Sequence, residues 1–231
     1  MVKNVVLVHG GLVDGSSWAK VIPLLEAHGL HVTAVQNPLT SLADDVATTV
    51  RALALQDGPT LLVGHSWGGV VITEAGMHPA VVGLAYVAGF VPGPGQSLAE
   101  VAAQGPAAAG GQHVTVDAAD FVRFTRQGLD EDLAPDASAA ERRLLFATQQ
   151  PLAVATRSEK VTAAAWQTKP SWYLVAEHDR IVHPELQWAM AQNIKATTRS
   201  VAAGHLPLFA QPDQVAAFIV EAALAAGSKI G

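Results

Sequence analysis

Three residue types able to run nucleophilic chemistry stand at telling places along this 231-residue chain. Gly64-His65-Ser66-Trp67-Gly68 reads Gly-x-Ser-x-Gly, with an apolar run before it and a helical pattern after it. A sharp strand-to-helix turn there forces its serine into a strained backbone conformation and holds the hydroxyl out at the sheet edge, beside a helix N-terminus. A serine hydroxyl is a poor nucleophile until a base takes its proton. Of nine histidines, His205 follows the last strand-like run, in Gly204-His205-Leu206-Pro207, on a loop at the same sheet edge as Ser66. His28, His31, His78 and His113 read as solvated, His183 as a helix-start residue, and His65 as a neighbour of Ser66 that points away from it. The base needs a carboxylate to fix its tautomer. Asp179 lies just past the strand-like run that ends near Ala176, and Glu177 is the rival acid, set too close to the strand end to reach as far. No acid stands at the alternative place, because Phe90-Val91-Pro92-Gly93 is uncharged. His9-Gly10-Gly11 follows the first strand-like run, where glycines let the backbone approach a bound carbonyl. An amide of that loop and the Trp67 amide would then stabilise a tetrahedral oxyanion.

These groups must be held by elements that the hydropathy pattern supplies. Val5–Val8, Val32–Val35, Leu61–Val63, Val81–Val87, Trp172–Ala176 and about Thr198–Ala202 read as strands. Their runs are continuous and apolar, as in sheets covered on both faces. Ala19–Ala27, Ser41–Ala54, Gly68–Met77, Pro184–Ile194 and about Pro212–Ala225 carry helical spacing, with Ser41 and Asp44 placed as a capping box. The alternation predicts a mostly parallel sheet of about six strands with helices on both faces. Residues 92–168 break it. No strand is expected there, only helical pieces at about Ala118–Gln127 and Ser138–Thr148, so this stretch reads as a helical cap inserted between two core strands of a single domain spanning 1–231.

Composition narrows the function classes. Half of the residues are hydrophobic and the net charge is −6 with 15% charged residues, which fits a folded globular chain and disfavours nucleic acid as a partner. The longest uncharged apolar run, Val81 to Val91, is too short for a membrane span, and the first residues lead directly into a strand, so a cytoplasmic protein is expected. No cysteine is present, which excludes disulfides and a thiol nucleophile.

His9-Gly10-Gly11, Trp18, Gly64-His65-Ser66-Trp67-Gly68-Gly69, Asp179 and His205, in the chain order Ser…Asp…His, resemble the α/β-hydrolase superfamily. The likeness is to its small single-domain esterases, such as plant methylesterases, hydroxynitrile lyases and bacterial carboxylesterases. The resemblance implies a Ser66 nucleophile, a His205 base, an Asp179 acid and oxyanion amides from Gly11 and Trp67. It implies a small-molecule ester substrate, no cofactor and no metal, in a monomer or homodimer. Ser66 departs from the aspartate nucleophile of haloalkane dehalogenases and epoxide hydrolases. Leu206 stands where hydroxynitrile lyases carry a lysine after the catalytic histidine. Perhydrolase, lyase and C–C or C–N hydrolase chemistry on the same triad, or a receptor with negligible turnover, are the alternatives.

Overall fold

A computed structural model describes residues 2–228. Its core is a six-stranded sheet made of β1 (Asn4–Val8), β2 (His31–Ala34), β3 (Thr60–His65), β4 (Val81–Val87), β8 (Ser171–Ala176) and β9 (Thr197–Val201). The order is β2-β1-β3-β4-β8-β9 and every pairing is parallel. Each core strand agrees with a sequence-predicted one to within a few residues. β1, β3 and β8 are buried along their whole length, which matches the apolar runs they contain. The edge strands β2 and β9 alone carry exposed polar positions, as unpaired sheet edges favour.

The chain leaves β1 toward β2 on one side, then returns to place β3 on the other side of β1. The carboxyl ends of β1 and β3 therefore face the crevice where strand order reverses, the usual ligand position in open α/β sheets. The Gly10-Gly11 loop and the Ser66 turn leave from those two ends.

Helices cover both faces: α1 (Ile22–Ala27), α2 (Leu42–Ala54), α3 (Trp67–Ala75), α7 (Pro184–Asn193) and α9 (Pro212–Gly227), with α8 (Pro207–Ala210) a single turn. At α2 the Ser41 hydroxyl accepts from the Asp44 N–H at 3.0 Å. The Asp44 carboxylate accepts from the Ser41 and Thr40 hydroxyls instead of reaching back to the Ser41 amide, so only half of the expected box forms.

Residues 92–168 lie between β4 and β8 and correct the expectation of a purely helical insertion. The predicted helix over Ser138–Thr148 forms as α6 (Ala139–Thr148), capped by Ser138, and Ser97 caps the short α4 (Leu98–Ala102), each through a complete capping box with Glu141 and Glu100. The predicted helix over Ala118–Gln127 does not form. Instead β5 (Val114–Val116), β6 (Phe121–Phe124) and β7 (Leu152–Ala153) make a small antiparallel sheet, followed after β6 by α5 (Arg126–Gly128). The reason is local. The Asp117 carboxylate accepts from the Ala119 and Phe121 amides and Asp120 turns at φ 60°, which folds the segment back as a hairpin before a helix can start.

Candidate active site

Ser66 sits between β3 and α3 at φ 51° and ψ −119°, a conformation rare for a residue with a side chain. Its backbone is clamped: its N–H donates to the Val87 carbonyl at 3.2 Å and its carbonyl accepts from Phe90 at 3.1 Å. The turn requires glycine at 68. A Cβ there would lie 2.5 Å from the Val8 carbonyl oxygen and 2.8 Å from that of His9, both backbone atoms that cannot swing aside. The missing side chain is what lets the loop after β1 lie against the serine turn.

The three residues singled out for nucleophile, base and acid converge. The Ser66 hydroxyl is 2.8 Å from His205 Nε2, and His205 Nδ1 is 2.7 Å from Asp179 Oδ2. A carboxylate only accepts, so Nδ1 carries the proton and Nε2 is free to accept from Ser66. Asp179 is tied down further: Oδ1 accepts from the Ile181 and Val182 amides at 2.7 and 2.9 Å, and Oδ2 also accepts from Gln187 Nε2 at 2.8 Å. The site is dry at its base, with His205 2% and Asp179 5% exposed. The rival Glu177 instead accepts from the Ser200 hydroxyl at the exposed sheet edge. His183 accepts from the Glu185 amide at the start of α7, as a helix-start residue.

His65 does more than turn away from Ser66. Its ring packs 4.9 Å from the His205 ring, and its Nε2–H donates to the His205 carbonyl at 2.8 Å. Burial, and next the nearby His205, hold its pKa well below the usual value, so it stays a neutral donor. His9 has a fixed tautomer as well. The Asn37 amide donates to its Nε2 at 3.0 Å, so Nδ1–H donates to the Gly10 carbonyl at 2.8 Å. Burial also lowers the pKa of His9. With the Gly10 carbonyl drawn to the ring, the Gly11 N–H of the same trans peptide points away from it. Neither the Gly11 nor the Trp67 N–H donates to another group among the described residues.

A cavity of about 400 Å³ opens above Ser66 and His205, walled mainly by apolar side chains. Gly11 and Trp67 line it beside the serine, and Leu133, Val122, Phe124 and Leu152 from residues 92–168 close it. Arg157 is the one Lys or Arg side chain in its wall.

Sequence reasoning missed Gln187 and Asp45. Gln187 is a fully buried amide on the inner face of α7, whose carbonyl accepts from Ala176 and whose amide holds Asp179 and the Val182 carbonyl. A polar residue among Leu186, Met190 and Ala191 is the signal that could have found it. Asp45 is a fully buried carboxylate in the first turn of α2, next to an exposed Asp44 that hides it in the sequence.

The curated relatives first matched are covered by this chain over only 36–42% of their own lengths. A pyrethroid hydrolase from Sphingobium wenxiniae is 33% identical over 107 residues, 41% of this chain and 38% of that protein. Methylesterase 8 from Arabidopsis thaliana is 27% identical over 236 residues, 92% of this chain and 86% of that protein. Among solved structures, a pyrethroid hydrolase from Sphingobium faniae shares the fold, with a TM-score of 0.82 at 21% identity over 96% of this chain and 98% of that one. Residues 5–218 match the alpha/beta hydrolase family across nearly all of the sheet, both clamped loops and the Ser66 turn, and the chain belongs to that family.

Proposed function

We propose that this protein hydrolyses small carboxylic esters through an acyl-enzyme on Ser66. The observation that carries the reading is the unbroken hydrogen-bonded line from the Ser66 hydroxyl through His205 to Asp179, at 2.8 and 2.7 Å. As Oγ attacks the ester carbonyl, His205 Nε2 takes its proton and Asp179 stabilises the resulting imidazolium. The carbonyl oxygen becomes an oxyanion, for which the free N–H groups of Gly11 and Trp67 are the donors. His205 then protonates the departing alkoxide, the alcohol leaves, and a water molecule activated by the same imidazole hydrolyses the acyl-enzyme to the acid.

The apolar wall and the cavity volume of about 400 Å³ favour a compact, fairly hydrophobic ester. Relatives named as a pyrethroid hydrolase and a methylesterase support ester cleavage as the reaction class. We read the protein as a cytoplasmic enzyme, a monomer or homodimer that works without cofactor or metal and does not engage nucleic acid. No helix among the described residues is long and apolar enough to cross a membrane. The test is hydrolysis of p-nitrophenyl acetate and butyrate by the wild type and by Ser66→Ala. Loss of turnover in the variant is expected, and equal rates would refute the reading.

A further inference from the structure

Asp45 has no place in the chemistry just described, yet it is built at some expense. It is 0% exposed, and among the described residues no cation answers its charge. The charged groups that face it, Asp44 and Glu159, carry the same sign. Burial, reinforced by these two, pushes its carboxyl up to about 6. A position that served packing alone would be filled better by an apolar side chain.

Its two oxygens reach the two sides of the oxyanion site. Oδ2 accepts from the Trp67 indole Nε1 at 2.7 Å. Trp67 is the first residue of α3 and directly follows the strained Ser66. Trp67 is 1% exposed, and it is gripped at both ends, by the serine turn at its backbone and by Asp45 at its indole N–H. Oδ1 accepts from the Leu39 amide at 2.9 Å, and Leu39 itself holds a positive φ of 58°. The Leu39 carbonyl accepts from Ala153 of β7 at 2.9 Å. The neighbouring Leu152 lies against Gly11 so closely that a Cβ on Gly11 would stand 3.0 Å from it. One carboxylate thus ties the Trp67 side of the site directly, and the wall behind Gly11 through Leu39 and β7.

We propose that Asp45 is a positioning residue of the oxyanion site, fixing the Trp67 amide through its indole and the Gly11 loop through Leu39. The proposal rests on the hydrolase reading above. Asp45 touches no substrate, so its effect falls on the transition state and leaves ground-state binding alone.

The experiment compares the wild type, Asp45→Ala, Asp45→Asn, Trp67→Phe, the Asp45→Ala/Trp67→Phe pair and Ser66→Ala. A fluorophosphonate counts functional sites by covalent attachment to the serine. Turnover of p-nitrophenyl butyrate per counted site and the affinity of an alkyl trifluoromethyl ketone are then measured. Ser66 adds to the carbonyl of that ketone, its proton passes to His205, and the hemiketal oxygen carries the negative charge that the two amides must meet. Asp45→Ala is expected to lower kcat per site by roughly tenfold to a hundredfold, short of the full loss of a donor. KM should stay within about threefold, and ketone affinity should fall by the same factor as kcat. Trp67→Phe keeps the amide but drops the indole N–H, and should act in the same direction. The double variant should be no worse than Asp45→Ala alone. Asp45→Asn, which can satisfy only one of the two donors, should fall between. If Asp45→Ala does not fold, Trp67→Phe and Asp45→Asn carry the same readouts. The proposal is overturned if only the number of counted sites falls, or if kcat falls while ketone affinity holds. An inactive Ser66→Ala beside such a result leaves the hydrolase reading standing; a fully active Ser66→Ala removes both.

Discussion

Asp179→Asn replaces one atom, and the surrounding donors dictate where the new amide nitrogen goes. Oδ1 receives the Ile181 and Val182 backbone N–H groups, which cannot reverse, so the asparagine must keep its oxygen there. Its NH2 then takes the place of Oδ2, facing His205 Nδ1 and the Gln187 amide. Gln187 cannot turn to accept it, because its carbonyl is held by Ala176 and its NH2 by the Val182 carbonyl. The only group able to adapt is His205, which must give up its Nδ1 proton and carry it on Nε2. In that tautomer Nε2 cannot accept from Ser66, and the nucleophile has no base. A wrong-tautomer histidine in a triad of this kind costs about 10⁴ in kcat, equivalent to about 5.5 kcal/mol. KM should change little, since the cavity wall is untouched. The assay is p-nitrophenyl butyrate turnover near pH 7.5, per mole of folded protein. A kcat within tenfold of the wild type would refute both the tautomer argument and the role given to Asp179.

Three further outcomes are expected. Gly68→Ala drives a Cβ into the Val8 and His9 carbonyls, so it should lower stability by about 1–3 kcal/mol along with activity, read as a drop in the melting midpoint; an unshifted midpoint would count against the close approach. Asp45→Asn should change how stability depends on pH. With the folded carboxyl at about 6 and its ordinary value at 3.8, the folded state binds the extra proton between those values, so this group stabilises the wild type as pH falls. From pH 8 to pH 5 that gain is about 1.4 kcal/mol, or roughly 3–6 °C of melting midpoint, and the variant should lack it; calorimetry giving parallel pH profiles for the two proteins would sink the argument. Asp136→Ala removes the carboxylate that accepts from the Gly204 amide at 2.6 Å, one residue before the base. Phosphonylation of Ser66 by a fluorophosphonate, with loss of fluoride, should slow by roughly tenfold, the worth of one charge-assisted hydrogen bond, and an unchanged labelling rate would exclude that link.

The core was readable because its signals are local. β1, β3 and β8 are largely apolar runs, and Ser66 and Asp179 follow the ends of two of them, so position in the sequence stands in for position at the sheet edge. The insertion was not readable for the same reason. β5 and β6 are three and four residues long, Phe121 and Phe124 fall at a spacing that suits a helix, and the Asp117 turn that decides between hairpin and helix is one side chain. β7 is two residues long and joins β6 from 28 residues further on, a pairing that no local pattern announces. Gln187 and Asp45 escaped because their roles are set by what tertiary packing brings to them. In the sequence Asp45 is one of two acids in the first turn of a helix, where negative charge is ordinary. Only packing reveals that Asp44 faces water and Asp45 faces Trp67.

The insertion also contacts both loops that carry Asp179 and His205. Between α5 and α6, residues 129–136 supply Leu133 to the cavity wall, Asp132 to an ion pair with Arg180 at 3.0 Å, and Asp136 to the Gly204 amide. Asp132 is fully buried and is also held by His113 at 2.9 Å, while the Gly110 amide donates to the Arg180 carbonyl. Arg180 directly follows Asp179, and Gly204 directly precedes His205. The loops carrying Asp179 and His205 are thus tied to the segment that closes the cavity, whereas the Ser66 turn and Trp67 are held by the sheet and Asp45. The two sets of anchors meet at the 2.8 Å contact between Ser66 and His205, at the bond from His65 to the His205 carbonyl, and where the Ala153 amide of β7 donates to the Leu39 carbonyl. On the hydrolase reading proposed above, closing the cavity and aligning His205 would depend on one set of contacts, and the insertion would be a working part of the site and not a detachable lid. A movement of residues 129–136 away from the cavity would break the Asp136 bond to Gly204, one residue before His205, so on that same reading the entry of an ester and the alignment of His205 would be coupled.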